Sequence, residues 1–129
     1  MAIVVSRSET QLSATTSFQA MDNLAGASVS SSFTVPQNVS SIKQVAMATT
    51  ADGSDEYVPF IKISGNAMRD GDAVFCGPAN VASTTATGTA TNFGSYDTDL
   101  AVQPGNSVEI SIAVSDASTI SAGVTLTFA

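Results

Sequence analysis

Along most of this chain apolar and polar residues alternate with a period of two, the pattern of strands that turn one face to a core. In SVEISIAV, Val108, Ile110, Ile112 and Val114 fall on one side, with Glu109 and Ser111 on the other. GVTLTFA repeats the pattern, with Val124, Leu126 and Phe128 set against Thr125 and Thr127. ASVSSSFTVP places Val29, Phe33 and Val35 opposite Ser28, Ser30, Ser32 and Thr34, and QLSATTSFQA gathers Leu12, Ala14, Phe18 and Ala20 on one side. EYVPFIKIS and DAVFCG are apolar on both faces, which predicts central or covered strands; in the former, Val58 and Phe60 oppose Ile61 and Ile63. SSIKQVAMATT is mixed, with Val45 and Met47 on one face and Ile42, Ala46 and Ala48 on the other. Short strands are expected at AIVVS and DLAVQ. A helical period recurs nowhere.

Turn chemistry separates these segments. Pro36 in TVPQN cannot donate to a ladder and ends one strand. The Asp-Gly, Gly-Asn and Pro-Gly pairs of ADGSD, SGN, RDGD and QPGN favour tight turns. Turn signals roughly 8–15 residues apart are the rhythm of an antiparallel sandwich. The expected fold is therefore all-β, an antiparallel β-sandwich of roughly eight to nine strands. It is expected to form a single domain over residues 1–129.

Residues 77–96, GPANVASTTATGTATNFGSY, break the rhythm with a run of Gly, Ala, Ser, Thr and Asn. So long a connection usually marks a functional loop, and an uncharged one of small residues suits a surface lying against another subunit. A solvated loop held by Thr and Asn hydrogen bonds is the alternative.

Composition sharpens this. Only 12% of residues are charged, the formal charge is −7 and mean hydropathy is +0.23. So few charges suggest that part of the surface is covered, most simply by copies of the same chain. The four basic residues, Arg7, Lys43, Lys62 and Arg69, are scattered, which argues against direct nucleic-acid binding. MAIVVSRSET is too short for a signal-peptide core and nothing approaches a membrane span, so synthesis in the cytoplasm is expected.

Catalytic chemistry is scarce. There is no His, which excludes Ser-His and Cys-His nucleophiles. Lys43 and Lys62 sit in strand patterns and are expected to point into solvent. Cys76, the single cysteine, follows AVF and is expected to be an inert core thiol. Transition metals lack ligands. Carboxylates cluster at Asp52, Asp55 and Glu56, at Asp70 and Asp72, and at Asp97 and Asp99, and solvated turn acids are the default reading. A glycosidase pair or a Ca²⁺ site are the other uses; the absence of Trp, with only Tyr57 and Tyr96, counts against sugar hydrolysis. No enzyme activity, small-molecule substrate, cofactor or metal is expected.

Three segments carry a resemblance: SSFTVPQNVSSIKQVAMATTADG, VPFIKISGNAMRDGDAVFCG and YDTDLAVQPGNSVEISIAVSDASTISAGVTLTFA. Over residues 30–129 the chain resembles the single jelly-roll capsid proteins of icosahedral DNA viruses. The likeness lies in FTVPQNVSSI leading into a strand, the ISGNAM turn, and DLAVQPGNSVEISIAV before a terminal VTLTFA. It implies a jelly-roll virion protein, located in the virion, whose partners are copies of itself and other virion proteins. The chain departs from capsid proteins that wrap RNA with a basic arm, since MAIVVSRSETQ is not basic. A genome would then sit behind a membrane or in a preformed shell.

The expected function is a capsid or capsid-associated subunit, with Ile3, Val4, Val5, Phe93 and Tyr96 as candidate interface residues. The alternatives are a carbohydrate- or surface-binding module, perhaps calcium-assisted, and an adhesin- or pilin-like subunit suggested by Ser, Thr and Ala richness.

Overall fold

A computed structural model describes residues 3–51, 56–77 and 91–129, with the backbone alone at 51 and 91–93. The described residues form eleven strands and no helix. They are β1 (Ile3–Ala14), β2 (Gln19–Ala20), β3 (Asn23–Leu24), β4 (Ala27–Ser28), β5 (Ser32–Thr34) and β6 (Ser41–Ala51). After these come β7 (Pro59–Ser64), β8 (Ala73–Cys76), β9 (Thr91–Ala101), β10 (Ser107–Val114) and β11 (Ser118–Phe128). Nine of them make up the two main sheets, and the two-residue strands β3 and β4 pair with each other.

One sheet has the order β1-β11-β6-β9. The other runs β2-β10-β7-β8, with β5 also on β10. Every pairing is antiparallel, and the sheets pack face to face as a sandwich. The two ends of the chain meet: Ile3 lies opposite Phe128 and Val5 opposite Leu126.

The core follows the alternation. Val108, Ile110, Ile112 and Val114 of β10 are buried, as are Val124, Leu126 and Phe128 of β11. Ile61 and Ile63 of β7 face them, and Phe33 meets Phe128 edge-on at 6.0 Å. Met21, fully buried, plugs the core where the chain leaves β2.

Five expectations change. Ile42 shares the inner face with Val45, because β6 gains one residue relative to β11 between Ile42 and Gln44; Ile42 pairs Phe128 and Val45 pairs Leu126. Such a bulge restarts the alternation. QLSATTSFQA is not one strand: β1 ends at Ala14, Ser17 N–H bonds to Thr15 Oγ1, and the chain crosses to the other sheet, leaving Phe18 exposed. DAVFCG, read as central or covered, is the edge strand β8, with Ala73 and Phe75 against the core and Val74 outward. Cys76 is exposed, not a core thiol, because it shares the outward face with Val74. TNFGSY, the end of the soft stretch, belongs to strand β9 on β6; residues 78–90 lie outside the described residues.

Candidate interaction surfaces

The interface candidates lie on opposite edges of the four-stranded sheet. Ile3, Val4 and Val5 are on β1, Phe93 and Tyr96 on β9, and β11 and β6 stand between. At about 4.8 Å per strand the two groups are roughly 14 Å apart, so they do not form one patch. Val4 points outward and is 58% exposed, whereas Ile3 and Val5 are half-buried against the core. Tyr96 opposes Val45 and faces inward. Its ring packs on Phe75 at 5.4 Å and its hydroxyl donates to the Cys76 carbonyl, joining the two sheets along one side. The Phe93 backbone opposes Ala48, and its side chain lies outside the described residues.

Small residues make up one row of the outer face of the four-stranded sheet, beside the row of Val4, Thr127, Gln44 and Asp97. Ser6, Thr125, Ala46 and Ser95 form one row across its strands, and the Ser6 and Thr125 hydroxyls bond at 2.9 Å. At its corner Lys43 Nζ donates to Asp99 Oδ1 at 2.6 Å. That hydrogen bond, with the lysine charge behind it, holds the Asp99 carboxyl below the usual carboxylate range. Its contribution to stability is present above the ordinary Asp value and lost as pH falls through the lower folded value. NMR titration of Asp99 is expected to show the lowered midpoint, and Lys43→Met to move it back up.

The charged residues that matter to packing were not singled out from the sequence. Arg7 and Glu9 are each 8% exposed, on the inner side of β1 in phase with Ile3 and Val5. Arg7 Nε and Nη2 donate to the Ser30 carbonyl, and its guanidinium lies 5.2 Å from the Phe33 ring centroid. Glu9 accepts from Asp22 N–H and Asn23 Nδ2. Together they tie the segment from Asp22 to Ser30, including the β3–β4 hairpin, along β1. The signal was a charged pair in phase with apolar positions.

Asp70 and Asp72 are exposed in the turn before β8, and Asp52 and Asp55 lie outside the described residues. Among the described residues no three His, Cys, Asp or Glu side chains gather as a metal site. No described helix is long and apolar enough to cross a membrane. An open recess at Ser13, Ala14, Thr15, Ala117, Ser118 and Thr119 has neither a charged nor an aromatic side chain in its lining.

Two antiparallel sheets in this order place the chain in the jelly-roll class of β-sandwiches. No family model matches the sequence, and no curated protein matches it. Solved structures do match. The globular domain of zebrafish complement 1qA protein is similar at a TM-score of 0.53 and 13% identity, over 98% of this chain and 94% of that one. A chain of the T13 particle of infectious bursal disease virus is similar at a TM-score of 0.50 and 14% identity. That match covers 98% of this chain but only 31% of the viral one. At such identities the likeness is one of fold.

Proposed function

We propose that this chain is a virion structural protein, a capsid or capsid-associated subunit, whose single sandwich domain assembles with copies of itself and with other virion proteins. The observation that carries this most is the charge-poor surface on a jelly-roll frame, above all the outer face of the four-stranded sheet. That face sets Ser, Thr and Ala side chains in a flat row, which suits close approach by another subunit. The fold likeness to part of a viral particle protein is consistent with it. The subunit works by burying surface and catalyses nothing. Its place is the virion, and no direct contact with nucleic acid is needed, since the few cations are dispersed.

A surface-binding module is the second reading, favoured by the match over nearly the whole complement domain. Light scattering of the purified chain, with and without chelator and backed by negative-stain images, separates the two. Rings, shells or a defined oligomer are expected. A clean monomer at high concentration that binds glycans and loses them in chelator would overturn the virion proposal.

A further inference from the structure

The two outer faces of the sandwich differ in side-chain size and in the charges they carry. On the five-stranded side, β7 and β8 point Phe60, Lys62 and Val74 away from the core, and Phe18 joins them just before β2. Val74 is 55% exposed and Phe18 38%, with Lys62 Nζ 4.8 Å from the Phe18 ring centroid. This is an apolar patch around one cation, with Glu109 further along the same face of β10, where it accepts from Ser31 Oγ. On the four-stranded side, the row of Ser6, Thr125, Ala46 and Ser95 is flanked by Asp97, which is exposed and makes no ion pair among the described residues.

Net charge limits how copies can meet. A chain of −7 repels its copies, and a cation at the contact would offset part of that repulsion. Arg7 is buried and Lys43 is held by Asp99. Arg69 donates to the Val102 carbonyl. Lys62 is the cation that sits among exposed apolar side chains. Like faces brought together cannot set Lys62 against Asp97, which lie on opposite faces. Unlike faces place opposite charges together and large side chains over small ones.

We propose that the Phe18, Phe60, Lys62 and Val74 surface docks the outer face of the four-stranded sheet of a second copy, with Lys62 against Asp97 of the partner subunit. This rests on the self-assembly proposed above and names the faces that perform it. The two faces are different, so the contact is heterologous, and copies add head to tail until a ring closes or a filament grows.

The test is the mass of the full chain by light scattering over a concentration series, for wild type, Lys62→Glu, Asp97→Lys, the double variant and Val74→Ser. Thermal melts of each variant check that it is folded. Each charge reversal is expected to weaken association by about tenfold or more, and the double variant to recover most of that loss. Val74→Ser, at an exposed position, is expected to weaken association with the melt unchanged. If wild type assembles and the single variants assemble equally well, docking occurs elsewhere and this inference is overturned while self-assembly stands. Single variants that dissociate without recovery in the double variant would overturn the Lys62–Asp97 pairing. A wild type that stays monomeric overturns the self-assembly proposal itself.

Discussion

Phe128→Ala is expected to lower the unfolding free energy by about 4 kcal/mol. The ring is fully buried at the end of β11, between Ile3 on one flanking strand and Ile42 on the other. It meets Phe33 edge-on across the sandwich, and the Arg7 guanidinium stands over that same Phe33. Truncation removes the buried ring and leaves a void that strands held on both sides cannot close. The neighbouring backbone resists collapse as well, since Ser40 N–H and Ser41 N–H both donate to the Ala129 carbonyl. For a domain of this size the loss amounts to a fall of about 10–20 °C in melting temperature. Phe18→Ala is the control: it removes a ring 38% exposed outside the core, and its cost is expected to stay near about 0.5 kcal/mol. Urea unfolding of both variants checks the contrast. A Phe128→Ala loss below about 1 kcal/mol would mean that the ring does not close this end of the core.

That Phe128 faces inward could be read directly from VTLTFA, as could the inner face of SVEISIAV. In both, a regular strand lies between two others and the alternation runs unbroken. What the sequence hid was non-local. Ile42 and Val45 differ by three positions, and strict alternation separates them; only the pairing of β6 with β11 places a bulge between them. Phe18 looked in phase with Leu12 and Ala14, but the chain changes sheets at Thr15 to Ser17, and phase does not survive a crossover. DAVFCG is apolar on both sides, yet lies at an edge, because apolarity does not distinguish a strand covered by protein from one with an open face. The same limit bears on the interface candidates. Period two separates Val4 from Ile3 and Val5, and it is Val4 that is open. Tyr96 faces Phe75 across the sandwich, a partner twenty-one positions away that composition could not supply.

The same non-local pairing explains why the docking surface had no linear signature. Phe18, Phe60, Lys62 and Val74 come from three separate segments and share a face only because β2 and β7 both pair with β10, and β8 with β7. Ser111 and Ala113, lying beneath them on β10, are 4% and 3% exposed. The middle of this outer face is thus covered by the large side chains around it, of which Phe18 and Val74 are exposed.

Gly65→Ala is the second substitution expected to be severe, at about 3 kcal/mol or more. Gly65 follows β7 with φ +122°, outside the range an L-residue adopts comfortably. A Cβ there would fall 2.3 Å from the Ser107 carbonyl oxygen and 3.1 Å from Val108 Cα. Both obstacles are backbone, and that backbone is fixed. Ala67 N–H donates to the same Ser107 carbonyl, while Asn66 Oδ1 accepts from Ser107 N–H. The turn is thereby clamped onto the start of β10, where Val108 enters the core. Relief would have to separate the turn from β10, breaking these bonds and opening the pairing of Glu109 with Ser64. Gly71→Ala isolates the conformational part of the cost, because Gly71 also has positive φ, +90°, but its Cβ would meet open space. It is expected to lose only about 1–2 kcal/mol. Thermal unfolding of the pair checks the ordering, and equal losses would mean that the close approach to Ser107 contributes nothing beyond the strained φ.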